Sequence, residues 1–184
     1  MEVTRHRYAV AGWGVGEILV RDGVLVAHAL PSRRRKLPPA AGGPQGGARS
    51  PEVTLDVDAS HGSDGFVSAL CRRFAAHLAG ERVDYDDVPI DENGLGSFQR
   101  NLLAAARSVG WGDVVTYGGL AELAGRPRAA RSAGSFCAAN RISLVVPCHR
   151  VVAAGHGEPY AIGAYGPAGV GLKRRLLALE GTIL

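Results

Sequence analysis

The sequence lacks long apolar runs and has few cysteines. No stretch approaches the roughly 20 apolar residues that a membrane-spanning helix needs, and the first ten residues, MEVTRHRYAV, lack the apolar core and cleavage site of a secretory signal. The three cysteines, Cys71, Cys137 and Cys148, are an odd number without CxxC spacing. A disulfide framework and a zinc ribbon are therefore both disfavoured. Free thiols suit a reducing compartment, so we expect a cytoplasmic protein without membrane association.

Lysine is also scarce, whereas arginine and glycine are plentiful. Lys36 and Lys173 are the only lysines among 21 basic residues, and there are 26 glycines, which indicates a coding bias rather than a function. The chain of 184 residues is 46% hydrophobic and 21% charged, which is typical of a soluble globule of one or two domains. A formal net charge of +4 permits a polyanionic partner without requiring one.

The first half of the sequence predicts a small α/β domain with an antiparallel sheet, spanning residues 1–92. Two β-rich runs flank Asp22-Gly23, a dipeptide typical of two-residue hairpin turns. Residues 31–51 are rich in proline, glycine and arginine and predict a long flexible loop. The run VTLDV (53–57) predicts another strand, and apolar residues at helical spacing predict a helix over 64–79.

The second half of the sequence, residues 97–184, predicts a mainly helical domain. A short strand and a linker are expected in ERVDYDDVPIDENGLG, with a domain boundary near residues 91–96. Ser97 can cap the helix that follows, and Gly110 can end it.

Two short helices are predicted next, in VVTYGGLAELAGRPRAARSAGSFCAAN. Thr116 can cap the first, Gly125 can end it, and Pro127 fits the first turn of the second. This outline is that of a helix-turn-helix, although many helical hairpins bind nothing. The second helix sets arginines among alanine, serine and glycine, and such small residues let a helix approach a phosphate backbone closely. The content of this helix therefore favours DNA binding.

Near the end of the chain, Pro147-Cys148-His149-Arg150 interrupt an aliphatic run, SLVVPCHRVV. Burying ionisable groups beside a thiol is costly unless they are paired, and an adjacent histidine is a standard base for a cysteine nucleophile. Successive side chains of a strand point to opposite faces, so Cys148 and His149 cannot bond directly within one. We therefore predict a strand that ends at Pro147, followed by a tight turn that presents the thiol.

The last helix offers a carboxylate for His149. In GLKRRLLALEG, Leu172 and Leu176 are four residues apart and Glu180 comes four further on, which places Glu180 on the apolar face. Two alternatives remain open. Glu180 lies in solvent at a frayed helix end, or it fixes the imidazole tautomer in a relay from Glu180 through His149 to the Cys148 thiol.

In this order the motifs resemble a known family. VPCHRVV, with TYGGLAELAG, RAARSAG and Asn140 upstream and LLALEG downstream, is similar to the O6-alkylguanine-DNA alkyltransferases, also called methylated-DNA–protein-cysteine methyltransferases. The resemblance covers residues 97–181, and the first half matches the family's variable domain only in outline. It implies a monomer that binds the minor groove of double-stranded DNA containing O6-alkylguanine, chiefly O6-methylguanine. The lesion base is flipped out, and its alkyl group moves irreversibly to the cysteine in one turnover.

The resemblance also implies roles for the matching residues. Cys148 is the nucleophile and alkyl acceptor, His149 acts on it through a water, and Glu180 orients His149. Tyr117 donates a proton to the guanine ring, and Asn140 ties the recognition helix to the active-site turn. Neither a cofactor nor a metal is expected.

Further residues are assigned to DNA and to the pocket in the same way. Arg131 fills the gap that the flipped base leaves, and Arg150 braces the turn. The residues that line the DNA are Ala130, Ser132, Gly134 and Ser135. The alkyl and base pocket is formed by Pro147, Val151, Tyr165, Gly166 and Lys173.

Three features depart from the family pattern. Arg141 stands where proline usually follows Asn140, and Phe136-Cys137 replace smaller or aliphatic residues and are expected to pack inward, unless Cys137 is a second reactive thiol. Segment 153–168 is longer than its counterpart, which alters the loop over the pocket.

Three alternative functions compete with alkyl transfer: a lesion-binding protein without transfer activity, a general cysteine hydrolase, and a DNA-binding regulator with an inert thiol.

Overall fold

The computed structural model describes residues 2–34, 53–56, 64–155 and 160–183. The strands are β1 (Thr4–Val10), β2 (Gly14–Arg21), β3 (Val24–Ser32), β4 (Val53–Asp56), β5 (Val115–Thr116), β6 (Val151–Ala154) and β7 (Tyr160–Ala161). The helices are α1 (Asp64–Leu78), α2 (Ser97–Arg107), α3 (Tyr117–Leu123), α4 (Ala130–Ala139) and α5 (Gly169–Leu179). Within the described residues, no helix is long and apolar enough to cross a membrane.

The chain divides into two compact units, Met1–Asp91 and Glu92–Leu184. The mixture of helices and small sheets confirms the predicted α/β fold class. In the first unit, the strands form an antiparallel sheet in the order β3-β2-β1-β4. Arg21 pairs with Val24 across a two-residue turn in which Asp22 and Gly23 both have positive φ, which confirms the predicted hairpin.

Helix α1 packs on this sheet and supplies one side of its core. Its apolar residues are buried at the predicted helical spacing, which confirms the helix, and β4 confirms the predicted strand. The Phe74 ring stacks on His28 with ring centroids 3.9 Å apart, and the Tyr8 hydroxyl lies 2.6 Å from His28 Nε2. Cys71 is fully buried on the same helix, and burial raises the pKa of its thiol to about 12. Cys71 is therefore a packing residue.

Two sequence predictions in the first half need correction. Pro31 and Ser32 belong to β3 and not to the predicted loop 31–51, of which residues 35–51 lie outside the described part of the chain. The short strand predicted after α1 is absent: within residues 81–90, the structure gives one parallel bridge, between Leu25 and Ile90. Three aspartates and a proline in this segment disfavour a longer ladder.

In the second unit, helices α2, α3 and α4 pack together, and α3 contacts β6. Thr116 Oγ1 accepts a hydrogen bond from Gly119 N–H at 3.0 Å, which confirms the predicted cap of α3. The predicted cap of α2 is wrong, because Gly96 holds that position and its N–H donates to the Gln99 side chain. The helix also ends at Arg107, before the predicted stop.

The connection between α3 and α4 differs from the prediction at Pro127. Gly125 ends α3 with φ near +80°, as expected. Pro127 lies in a turn closed by a hydrogen bond from Ala129 N–H to Arg126 O, and Arg128 follows with φ of +76°. Proline at the second position and positive φ at the third are the features of a type II turn, so α4 begins only at Ala130.

The strand predicted before Pro147 is also wrong. Residues 143–146 form turns, Leu144 has φ of +69°, and Val146 N–H donates to Ile142 O at 3.0 Å. Strand β6 instead follows the PCHR motif, and it pairs in parallel with β5 and antiparallel with β7. The aliphatic run is buried either way, and its hydrophobicity could not distinguish a strand from a buried turn.

Candidate active site

Cys148 begins a 3-10 turn that ends at Arg150, and only 6% of its surface is exposed. Arg150 N–H donates to Pro147 O at 2.9 Å, and Cys148 N–H donates to Val146 O at 2.8 Å. Successive side chains of a 3-10 turn are about 120° apart instead of on opposite faces. The predicted tight turn is therefore confirmed, and it removes the geometric obstacle that a strand would set between the thiol and His149.

Glu180 lies at the C-terminal end of α5 with a side chain that is completely buried. His149 Nε2 lies 2.9 Å from Glu180 Oε1 in an equally buried setting. The alternative of a solvent-exposed Glu180 is thereby excluded. A carboxylate acceptor places the proton of a neutral imidazole on Nε2 and leaves Nδ1 as the basic nitrogen.

The Arg150 guanidinium forms a bidentate interaction with the same carboxylate. Its Nε donates to Glu180 Oε2 at 2.8 Å and its Nη2 donates to Oε1 at 2.9 Å. Its Nη1 also donates to Val109 O at 2.6 Å. Such paired, charge-assisted bonds are among the strongest in proteins. Arg150 thus joins the active-site turn to the end of α5 and to the segment after α2.

Asn140 connects the end of α4 with the same turn. Its Nδ2 donates to Val146 O at 2.9 Å and to Cys148 Sγ at 3.0 Å, and its Oδ1 accepts from Ile142 N–H at 2.9 Å. Every polar atom of this amide is therefore directed at the turn or the chain that leads to it. Arg141, which stands in place of the family's usual proline, is exposed.

The environment of Cys148 sets the ionisation of its thiol. Burial raises the pKa of this thiol, while the hydrogen bond from Asn140, the nearby Tyr165 hydroxyl and the positive charge of Lys173 act in the opposite direction. Burial dominates, so the resting group is a neutral thiol at physiological pH. A proton acceptor is required before this sulfur becomes a strong nucleophile.

Tyr117 and Lys173 meet at one carbonyl beside the thiol. The Tyr117 hydroxyl and Lys173 Nζ both donate to Ala164 O, each at 3.3 Å, and Lys173 Nζ also donates to Val151 O at 2.6 Å. Lys173 is completely buried, and burial lowers its pKa. Burial also raises the pKa of Tyr117, with the neighbouring Cys137 and Cys148 adding to the shift.

The remaining residues predicted for the pocket differ in how far they are buried. Pro147 and Val151 are buried on either side of the turn, Tyr165 is partly exposed, and Gly166 is exposed. Cys137 is only partly buried, as is Phe136, so neither packs fully inward as predicted. Burial and then the neighbouring Cys148 raise the pKa of Cys137 to about 12, which disfavours a second reactive thiol.

The residues predicted to contact DNA lie together on α4. Arg131, Ser132 and Ser135 are exposed, and Ala130 and Gly134 are partly exposed. A Cβ atom at Gly134 would come within 3.9 Å of the Tyr117 ring, so this helix passes close to the base of α3. The exposed face of α4 thus consists of small residues and one arginine, Arg131.

Two contacts at this site carried no signal in the sequence. The bidentate grip of Arg150 on Glu180 joins residues 30 positions apart, and the Lys173 ammonium reaches main-chain oxygens on two separate segments. The contact of Lys173 with Ala164 O is the more difficult one to predict, because any residue type can supply a backbone carbonyl. The resemblance assigned Lys173 to the pocket, but it gave no indication of these main-chain partners.

Comparisons with known proteins agree on one family. Residues 97–182 match the family described as 6-O-methylguanine DNA methyltransferase, DNA binding domain. The methylated-DNA–protein-cysteine methyltransferase of Metallosphaera sedula is 40% identical over 115 residues, which are 62% of this chain and 68% of that protein. The protein of the same name from Methanopyrus kandleri is 38% identical over 135 residues, covering 72% of this chain and 95% of that protein.

A solved structure supports the same assignment. The crystal structure of Mycobacterium tuberculosis OGT in complex with DNA is similar with a TM-score of 0.66 and 28% sequence identity, covering 96% of this chain and 92% of that chain. Together with the sequence relatives, this confirms the resemblance that the PCHR motif and its neighbours indicate. The chain belongs to the methylated-DNA–protein-cysteine methyltransferase family.

Proposed function

We propose that this protein repairs DNA by moving the alkyl group of O6-alkylguanine, chiefly O6-methylguanine, to Cys148. The observation that carries the proposal is the arrangement at the turn. A single buried thiol receives a hydrogen bond from Asn140, and the adjacent His149 is held by a buried carboxylate. This arrangement provides a nucleophile, a base and an orienting group in one place.

The transfer begins with deprotonation of the thiol. His149, with its basic nitrogen Nδ1, takes the Cys148 proton through a water, and Glu180 stabilises the resulting imidazolium. The thiolate then attacks the alkyl carbon, so that a carbon–sulfur bond forms as the carbon–oxygen bond of the lesion breaks. Tyr117 donates a proton to the guanine ring as the ring gains negative charge. Its hydroxyl must leave Ala164 O to do so, a bond of 3.3 Å that is readily exchanged.

The product explains why one protein molecule repairs one lesion. A thioether has no ionisable proton and no good leaving group, so none of the residues around Cys148 can regenerate the thiol. The raised pKa of the buried thiol supports the same scheme, because a neutral thiol resists chance electrophiles until a lesion reaches it.

The DNA is bound through α4 in the minor groove. Small residues on the exposed face of this helix permit close approach to the groove, and Arg131 enters the duplex where the lesion base leaves the stack. The lesion base must leave the stack, because a stacked base cannot bring its alkyl carbon to a buried sulfur. A minor-groove contact also reads little sequence, which suits a search for damage at any position.

The two halves of the chain have separate tasks in this scheme. Residues 97–184 form the DNA-binding and alkyl-transfer domain, and residues 1–92 form the N-terminal domain. We expect the protein to act as a monomer, as the resemblance to the family implies. The cytoplasmic location indicated by the free thiols stays a prediction.

The test is the stoichiometry of repair. A duplex with one O6-methylguanine is titrated with protein, and restored guanine is counted by nucleoside analysis. The expected result is one guanine restored per protein molecule, none for Cys148→Ser, and normal repair for Cys137→Ser as the matched control. Repair that continues beyond one lesion per molecule would refute single turnover, and repair by Cys148→Ser would refute the nucleophile.

A further inference from the structure

Tyr165 places a hydroxyl beside the nucleophile, on the segment that departs most from the family pattern. Its oxygen is enclosed, and it makes no hydrogen bond of good geometry with any residue of the described chain. The hydroxyl nevertheless lies close enough to Cys148 to lower the pKa of that thiol, and Ser143 is also a neighbour. An enclosed hydroxyl without an aligned partner costs about 1–3 kcal/mol and calls for an explanation.

The backbone around Tyr165 is held from several sides. Ala164 O accepts hydrogen bonds from Tyr117 and Lys173, and Tyr165 O accepts one from Gly169 N–H at 3.1 Å. Gly163 has φ of +69° and lies so close to Tyr117 that a Cβ atom there would approach the ring to 3.4 Å. The tyrosine therefore stands on a fixed segment and not on a loose loop.

The other groups that face Cys148 are already engaged or uncharged. Asn140 donates to the sulfur at 3.0 Å, while Lys173 donates to carbonyl oxygens. The Tyr117 hydroxyl donates to Ala164 O, and the pKa of Cys137 is raised to about 12, so that thiol stays neutral. His149, adjacent in sequence, is held by Glu180. Among the described residues near the sulfur, Tyr165 thus offers a hydroxyl that donates to no other acceptor.

A neutral thiol is a weak acceptor, whereas a thiolate is a strong one. We propose that Tyr165 is a further catalytic residue, whose hydroxyl donates a hydrogen bond to the Cys148 sulfur when the thiolate forms. The inference rests on the proposed alkyl transfer and adds a second donor to Asn140. A donor that has no good acceptor beside the neutral thiol, but a strong one in the thiolate, lowers the activation barrier of alkyl transfer without stabilising the ground state. Once the sulfur carries the alkyl group, the bond is lost again.

The experiment compares Tyr165→Phe with Tyr160→Phe in the full chain. Tyr160 is a matched control because it lies on the same segment, is 38% exposed, and is not part of the proposed machinery. Two rates are measured across pH: modification of Cys148 by iodoacetamide, followed by peptide mass mapping, and methyl transfer from O6-methylguanine in a duplex. Thermal unfolding of each variant shows whether it is folded.

Removal of the Tyr165 hydroxyl is expected to move the iodoacetamide profile of Cys148 to higher pH and to slow methyl transfer at neutral pH about tenfold, the effect of one hydrogen bond to a charged group. Tyr160→Phe should match the unchanged protein in both. A slower reaction with an unshifted pH profile would overturn the proposal, because it would show a structural role only. If Tyr165→Phe shifts the iodoacetamide profile but the protein without substitutions takes no methyl group from DNA, the hydrogen bond to the thiolate is supported and the proposed function is refuted.

Discussion

His149 and Glu180 meet through a hydrogen bond of 2.9 Å in which neither side chain is exposed to solvent. Arg150 holds the same carboxylate by two further bonds of 2.8 and 2.9 Å. A buried carboxylate is tolerated only when it is paired, and here the pairing serves two purposes at once. It orients the proposed base, and it fastens the active-site turn to the end of α5.

The first prediction concerns that carboxylate. Glu180→Gln leaves the Arg150 guanidinium buried without a counter-charge, and we expect it to lower the free energy of unfolding by about 3–5 kcal/mol. Methyl transfer should fall at least about tenfold, because a neutral amide does not stabilise the imidazolium. Denaturant unfolding and single-turnover repair measure the two effects. Glu122→Gln, an exposed change on α3, is the control and should alter neither.

A prediction for DNA follows from the exposure of Arg131. Arg131→Ala should leave the melting temperature unchanged, because the side chain is exposed on α4. Repair of a duplex should slow markedly, while transfer from the free base O6-benzylguanine should be nearly unaffected, since the free base needs no flipping. Arg174→Ala on α5 removes the same charge from an exposed position and serves as control. Equal losses with both substrates would contradict a role in flipping.

Alkylation is predicted to destabilise the protein. Cys148 is 6% exposed in a packed turn, and its sulfur accepts a hydrogen bond from Asn140 at 3.0 Å. A methyl group adds volume to this buried turn and weakens that bond, and extra methylene groups in a packed core typically cost about 1–3 kcal/mol. The methylated protein should therefore melt at a lower temperature than the free protein in differential scanning calorimetry. Identical melting temperatures would contradict this expectation.

Stability is predicted to fall in alkaline solution. Burial raises the pKa of Cys71 from 9.0 to about 12. The folded protein then holds this proton more tightly than the unfolded chain, so the stabilisation is complete below pH 9 and is lost as pH rises toward 12. Each such group contributes a slope of at most about 1.4 kcal/mol per pH unit. Cys71→Ala, although less stable at neutral pH, should lose less of its free energy of unfolding as pH rises, as measured by denaturant unfolding. An unchanged slope against pH would show that other groups cause the loss of stability.

Parts of the fold with a local cause could be predicted from the sequence. Asp22-Gly23 specifies a two-residue hairpin turn by itself, and Thr116 caps α3 through a side chain three residues from its partner. Failures occurred where the conformation depends on tertiary packing. Leu144 adopts positive φ within an aliphatic run that looks like a strand, and Pro127 opens a turn and not a helix.

The active site shows the same division. The helical spacing put Glu180 on an apolar face but left open whether it is buried, which the structure shows. The adjacency of Cys148 and His149 indicated the chemistry. Arg150 could not be placed against Glu180 from spacing, because the contact depends on how the turn docks on α5. Tyr165 was placed in the pocket by resemblance alone, and only the folded chain shows that its hydroxyl is enclosed and near enough to affect the pKa of Cys148.

The most direct test of alkyl transfer is intact-protein mass spectrometry with peptide mapping, after the protein is mixed with a duplex that contains O6-methylguanine. The proposed function predicts a gain of one methyl group, located on Cys148 and saturating at one per protein molecule. No gain in mass, together with tighter binding to the lesion duplex than to undamaged DNA, would contradict it and would indicate a protein that recognises the lesion without repairing it.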